Sequence, residues 1–349
     1  MTRFAWLQAR TQTLISLGLL AGLAVLAAIT GVQLSHLYSS LVAHCQSGCD
    51  LAAGSFLAHD GFLSQLFDLL ARAVPALIGI FWGAPLVARE LETGTHRLAW
   101  TQTVTRRRWA ATKLGLVGLA SVVVAGAFTL TVTWWSRAID VVNANQYALF
   151  DRRGVVIVGY SAFAFASGAL IGAVIRRTLP AMATTLAVYA FTLVATTAWV
   201  RPHLVSAATS TVSLLDAERF DFTSSNGAPL IIEAQASGPP NSWTLSSRLV
   251  DRSGHIATAA ERAAFVHQNC PTIGLPPSAP AGHATIGPGP GSAAVEACRT
   301  QASSAFHLVV RYLPADRYWT LQWLELGVYV ALALVAAVGC WWWVTRRTN

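Results

Sequence analysis

The stretch LVARELETGTHRLAWTQTVTRRRW, residues 86–109, decides how this chain is read. It holds two Glu, five Arg and a Gly-Thr pair, while the chain on either side is too apolar for an ordinary protein surface. A polar wedge between two apolar runs marks a loop at a membrane face, joining two helices that cross the bilayer.

Composition extends that reading to the whole molecule. Of 349 residues, 54% are hydrophobic and only 11% charged, against roughly 25% charged in soluble domains. Crossing about 30 Å of hydrocarbon takes about 20 mostly apolar residues in a helix, because lipid offers no partner to a bare peptide N–H or C=O. Six segments qualify, near 13–35, 73–88, 110–135, 154–175, 179–200 and 321–344. The second is short, but FLSQLFDLLARAVP before it extends the helix, with Asp68 and Arg72 spaced as an i,i+4 pair. The expected fold is an all-α polytopic membrane protein of six transmembrane helices. A small mixed α/β extracytoplasmic domain is expected between helices five and six.

Basic residues set the expected orientation. Half of the 24 Lys and Arg fall in the short pieces 1–12, 89–113, 176–178 and 345–349. By the positive-inside rule both termini are then cytoplasmic, in a cell membrane. Trp6, Trp82, Trp100, Trp109 and the WWW run at 341–343 sit near the inner boundary of the spans, and Trp134, Trp135, Trp199, Trp319 and Trp323 near the outer one. They read as interfacial anchors. The net charge of +8 belongs to the inner face and its lipid, so no basic surface is left for nucleic acid. Arg3 and Arg10 ahead of an apolar run resemble a signal peptide, but the run is long for one, and we read it as a span. TRFAWLQART before it reads as a short helix lying on the inner surface.

Residues 201–320 form the largest stretch outside the membrane, which divides the chain into 1–200, 201–320 and 321–349. NSWTLSSRLVDRSG and AFHLVVRYLP look like strands, TAAERAAFVHQN like a helix, and PTIGLPPSAPAGHATIGPGPGS like a Pro/Gly loop without a packing pattern. Cys45 and Cys49 fall in the first outer loop, Cys270 and Cys298 in the outer domain, and Cys340 in span six. An even count outside the membrane allows two disulfides, free thiols are the alternative, and no spacing with His44, His255, His267 or His283 matches a zinc pattern.

Chemistry-bearing motifs are scarce. A phosphate-cradling loop ends in Gly-Lys-Ser/Thr, and the single Lys of this chain, Lys113, lies in AATKLG. Nucleophile elbows and His-Glu-x-x-His are absent from the sequence. Ionisable residues are nearly missing from the predicted spans, apart from Glu325 near the outer end of the sixth, whereas proton relays and ion-coupled carriers usually require buried Asp, Glu or His within the membrane. An enzyme is therefore not expected, and the energy for any transport has to come from a partner.

The 89–113 loop, the largest cytosolic piece, is where that partner is expected to dock. Gly94 can end the incoming helix with positive φ, and Thr95 can cap a short helix through HRLAW. Charge pairing of Glu90 and Glu92 with neighbouring Arg, and Arg snorkelling to lipid, account for the charges alone. The order of residues adds more. RELETGTHRLAWTQTVTRRRWAATKL resembles the Glu-x-Glu-x-Gly-Thr, Leu, Ser/Thr-Arg and Lys pattern after the second span in membrane subunits of type-2 ABC exporters. Glu90, Glu92, Gly94, Thr95, Leu98, Thr105, Arg106 and Lys113 fall on it in order, with Arg89 ahead of them and Val104 departing from the usual Pro. YLPADRYWTLQWLELGVYV looks like an actinobacterial subgroup of that family.

The resemblance implies a permease subunit of an ABC transporter, an exporter of an amphiphilic drug, lipid or peptide. It implies a second permease subunit, as homodimer or heterodimer, and a separate ATPase subunit on the 89–108 loop. This chain would hold no cofactor of its own, ATP and Mg being bound by the ATPase. Thr129, Thr133, Ser161, Ser167, Thr184 and Thr185 are candidates to line a substrate path, although in-span Ser and Thr more often serve packing. An extracellular-ligand sensor built on the same fold and a membrane-embedded enzyme are the alternatives.

Overall fold

The computed structural model describes residues 2–45, 49–59, 61–94, 105–143, 146–225, 229–271, 273, 283–286 and 293–346. The chain divides into two compact units, Met1–Val205 with Tyr318–Asn349, and Ser206–Arg317.

Among the described residues, six helices are long and apolar enough to cross a membrane: Gly18–Leu41, Gly61–Glu92, Arg106–Trp135, Val156–Ile175, Thr178–Leu204 and Ala315–Arg346. They are called spans one to six below. Helix direction puts the ends near Glu92, Arg106, Ile175, Thr178 and Arg346 together, called the elbow end. The opposite ends form the far end.

Span one belongs to one continuous helix, Thr2–Leu41, so the separate surface helix expected at the N terminus is not there. The sequence supplies no Gly or Pro between residues 2 and 17 to break it. A 40-residue helix is about 60 Å long, twice the hydrocarbon thickness. Span two begins earlier than its apolar core suggested, and Asp68 and Arg72 pair on the extension at 3.1 Å.

Two spans widen into a π turn, Ile78–Gly83 in span two and Thr196–Val200 in span five. Each turn is followed two residues later by a proline, Pro85 and Pro202. A helix-interior proline removes one N–H and pushes against the preceding carbonyls, and the wider turn relieves both. The Ala84 N–H reaches back to Gly79 O, and the Arg201 N–H to Thr196 O.

Span four is the centre of the unit, with 78% of its apolar stretch buried against 17% for span five. Glycines allow its backbone to approach span two. A Cβ on Gly168 would lie 2.6 Å from Gly79 O, too close for any side chain. Such small-residue seams hold helices together where water exclusion gives no drive. Three tryptophans expected at the interfaces are core residues instead: Trp82, Trp109 and Trp135 are 7%, 4% and 4% exposed. Trp82 and Trp109 pack in separate apolar clusters, and the Trp135 indole donates to Thr30 Oγ1 at 3.0 Å. Trp134, Trp199, Trp319 and Trp323 are exposed, as interfacial anchors are.

The second unit is smaller at both ends than the 201–320 expected, because span five runs on through Leu204 and Tyr318 already starts the long last helix. Its described residues form six strands: β1 (Ala208–Val212), β2 (Arg219–Ser225), β3 (Ile231–Gln235), β4 (Trp243–Asp251), β5 (His283–Ile286) and β6 (Phe306–Leu313). They form two antiparallel three-stranded sheets, ordered β1-β6-β4 and β3-β2-β5. Helix Ala259–Asn269 starts at a capping box in which Thr258 and Glu261 satisfy each other's backbone N–H. Together with helix Ala293–Ala305 it covers a core that includes Phe220, Phe222, Ile232, Val266, Leu308 and Val310. The Pro/Gly stretch was expected to lack structure, yet its HATI segment is β5, paired to β2 from Phe222↔Ile286 to Ser225↔His283. Disulfides join Cys45 to Cys49 and Cys270 to Cys298, and Cys340 is a buried free thiol.

Candidate functional site

The elbow end is built from the last turns of span two. Helix Ala84–Glu92 ends at Thr93, whose hydroxyl donates to Arg89 O at 2.8 Å. Gly94 then takes φ +72°, a left-handed conformation that costs a glycine little. Thr95 and Leu98, named above as docking residues, lie outside the described residues, as does the whole of 95–104. The chain resumes at Thr105, which caps span three, its Oγ1 accepting from Arg108 N at 3.4 Å.

Both acids of the loop are used inside the unit. Glu90 forms an ion pair with Lys113 of span three, the two side chains being 14% and 9% exposed. The Lys113 ammonium also lies 4.9 Å from the centre of the Trp109 ring. Glu92 reaches the start of span five, where its Oε2 accepts from Thr178 N at 2.9 Å and Thr178 Oγ1 at 2.6 Å. A helix start exposes unpaired N–H groups and a positive dipole end, and a carboxylate satisfies both. Arg177, extended at φ −130°, and Arg176, left-handed at φ 58°, make the two-residue link that brings Thr178 there.

Span two is thus fastened to span three by Glu90 and to span five by Glu92. Among the described residues, Arg89, Arg107, Arg108, Arg176 and Arg177 are exposed at this end together with Glu92, and Arg106 is half-buried. The Arg107 guanidinium lies 6.0 Å from the Trp341 ring of span six. Among its described residues this arrangement has no nucleophile, acid–base pair or phosphate cradle. It can transmit a displacement.

The proposed path-lining hydroxyls are mostly occupied. Thr129 donates to Gly154 O at 2.8 Å, and Ser167, Thr184 and Thr185 donate to backbone carbonyls of their own helices. Ser161 is fully buried and its hydroxyl has no hydrogen-bond partner among the described residues. Thr133 is half-buried. Most of this set supports helix packing.

A second constellation, at the far end, was missed by the sequence reading. Arg201 begins the last turn of span five, Arg201–Leu204, and is 3% exposed. Its guanidinium takes Glu325 of span six as a two-point partner, Nε to Oε2 at 2.9 Å and Nη2 to Oε1 at 2.9 Å. It also pairs with Asp151 in the turn Gln146–Arg152, Nη1 lying 3.3 Å from Oδ2 and Nη2 bonding Oδ1. The Tyr160 hydroxyl of span four accepts from Arg201 Nη2 at 3.0 Å. It lies 2.6 Å from Glu325 Oε1 and 3.2 Å from Asp151 Oδ1, with one proton to give. Arg201 also lies 4.6 Å from the centre of the Phe150 ring.

Next to this cluster, Gln322 of span six locks the turn in place. Its Oε1 accepts from Val156 N at 3.1 Å, and its Nε2 donates to Phe150 O at 3.1 Å and Arg153 O at 3.3 Å. Two signals pointed here. Glu325, recognised inside a span, needed a cationic partner, and Arg201 stood one residue past the predicted end of span five.

A family model described as ABC-2 membrane transporter related matches residues 17–201, from the first span to Arg201. No curated protein and no solved structure matches the chain.

Proposed function

The chain belongs to the ABC-2 membrane transporter related family, whose model covers more than half of it; it is a multi-pass permease, and we propose that a separate ATPase subunit drives it through the 89–108 elbow. ATP and Mg would be held by that subunit, two permease chains would pair around the path, and the cargo would be an amphiphile moving outward. The elbow end faces the cytoplasm in this reading, with both termini, and Ser206–Arg317 is the extracytoplasmic domain between spans five and six. The basic elbow end and the two disulfides, Cys45–Cys49 and Cys270–Cys298, support that orientation.

The observation that carries the proposal is the pair of struts from the elbow. Because Glu90 holds Lys113 and Glu92 holds Thr178, a push on the elbow moves the inner ends of spans two, three and five together. The struts themselves leave Arg89 and Arg108 facing outward. Arg89→Glu with Arg108→Glu is therefore expected to abolish co-purification with the ATPase while the chain still inserts and folds. Glu92→Gln, which keeps an acceptor for Thr178 N, is expected to keep the complex and to weaken cargo-stimulated ATP turnover. Unchanged co-purification and turnover in the double Arg variant would sink the docking assignment.

A further inference from the structure

The inner struts leave open how a displacement is read at the other end of the helices, and the far-end cluster answers that. Its parts differ in how firmly they are held. The turn Gln146–Arg152 is tied to span six by Gln322 and by aromatic packing, with the Tyr147 and Phe150 rings each edge-on to Tyr318 at 5.4 and 5.5 Å. Tyr160 belongs to span four, the most buried span, and packs on Tyr329 of span six at 4.5 Å. Asp151, Tyr160 and Glu325 therefore stand on one fixed wall.

Span five is different. Only 17% of its apolar stretch is buried, and Ala198, Trp199 and Val200 just before Arg201 are exposed. Immediately before Arg201 the helix passes through the π turn Thr196–Val200, an element that changes register at low cost and recurs at working sites. A weakly packed helix end with a π turn is thus fastened to a rigid wall by one guanidinium between two carboxylates. The two arms are unequal: the Glu325 side chain is 0% exposed, and that of Asp151 29%. The Asp151 arm opens to the surface of the unit, where water can replace it, whereas the Glu325 arm is closed off.

We infer that Arg201 is the latch of a gate at the far end, closing span five onto the wall formed by Asp151, Tyr160 and Glu325 and releasing it first from Asp151, the arm open to the surface. The orientation proposed above makes this the outer gate. The inference itself needs nothing from the ATPase and holds for the chain alone. It assigns a positioning role to four residues, none of which has to touch cargo.

Hydrogen exchange of the purified full-length chain in nanodiscs tests it. Asp151→Asn keeps the shape of the turn and removes one charge, so Arg201 loses its exposed arm and retains Glu325. Amides of 196–204 are expected to exchange roughly tenfold faster, the scale of one charge-assisted contact, while 156–175 stay protected. Glu325→Gln is expected to act in the same place and more strongly. The exchanged pair Arg201→Glu with Glu325→Arg is expected to regain much of the protection that either single change loses. A uniform rise across spans four, five and six would make Arg201 a structural staple and overturn the latch, as would no change in 196–204 for Asp151→Asn. Faster exchange of 196–204 in these variants, with no response of wild type to ATP in the assembled transporter, would leave the latch standing and count against the ATPase coupling.

Discussion

Removing the Lys113 ammonium while leaving Glu90 in place, as in Lys113→Met, is the sharpest test of the elbow geometry. The Glu90 side chain is 14% exposed and Lys113 9%, so the carboxylate left behind has little access to water. Loss of the charge-assisted bond costs about 1.5–3 kcal/mol, and loss of the ammonium over Trp109 about 1 kcal/mol. Partial solvent access at a membrane face keeps the total near 3 kcal/mol, at the low end of what breaking a buried pair costs. For a domain of this size that is a fall in melting temperature of about 6–12 °C. The comparison that makes the reasoning testable is Glu90→Leu with Lys113→Met. Two apolar side chains of similar volume have no stranded charge, and the double variant is expected within about 1 kcal/mol of wild type. Thermal unfolding in detergent, followed by tryptophan fluorescence, measures both. A double variant less stable than Lys113→Met, or a single variant unchanged, would refute the account of a buried pair at the elbow.

Gly168→Val is expected to force spans two and four apart, since even a Cβ would sit 2.6 Å from Gly79 O. A loss of about 3 kcal/mol or failure to fold should follow, whereas Gly115→Ala, with open space around it, should be neutral or gain about 0.5–1 kcal/mol; melting of both variants checks this. Replacing Cys270 and Cys298 by Ala opens a loop of 28-residue separation, and the chain-entropy estimate of about 3.5 kcal/mol should appear as faster hydrogen exchange confined to 206–317. Acid should act on the same unit. The Ser253 hydroxyl and the His255 N–H hold Asp251 below its ordinary pKa, and the Thr258 backbone and side chain hold Glu261 below its own. A lowered folded pKa stabilises above the unfolded value, and that contribution disappears as pH falls through the folded one. Protection factors in 251–269, which remove the base catalysis of amide exchange itself, should thus fall below about pH 4 and be flat from pH 5 to 7, and a loss of protection on raising the pH would contradict it.

The number and order of the spans were legible because hydrocarbon imposes a length and a composition that no other environment does. Helix ends were less so. Span five was expected to stop at Val200, yet the π turn lets the helix continue through Pro202 to Leu204. That shift moved Arg201 from a loop into the protein interior. Glu90 and Glu92 were recognised as special, but spacing alone does not reveal that Lys113 is 23 residues away in sequence and in contact, or that Glu92 meets Thr178 across 86 residues. In the second unit, β4 and β6 were visible from their β-branched and aromatic runs. The HATI strand was hidden by the Pro and Gly around it, since its pairing with β2 is a tertiary fact. Trp109 and Trp135 misled for the same reason: an indole at a span end is anchor or core according to the neighbours it meets.

Span five is held at both ends by charge. At the elbow end Glu92 accepts from Thr178, and at the far end Arg201 holds two carboxylates. Between them Thr178–Ala195 is regular α-helix for 18 residues, a rod of about 27 Å. Its hydroxyls at Thr184, Thr185 and Thr192 bond back to their own turns, while the Tyr189 hydroxyl donates to Arg72 O of span two at 3.4 Å. The π turn lies past the rod, directly before Arg201. On the proposed reading, a displacement entering at Glu92 would travel along a stiff element and meet the first place where the backbone can change register in the π turn that ends one residue before Arg201. Span two has the reverse order, with its π turn at Ile78–Gly83 and regular helix from Ala84 to the elbow. There the π turn is packed against span four at Gly79 and Gly83, and the close contact continues past it, where Gly172 meets Ala84. On the proposed reading, the two prolines that cause the π turns, Pro85 and Pro202, set where each helix yields, and the carboxylates set what it pulls.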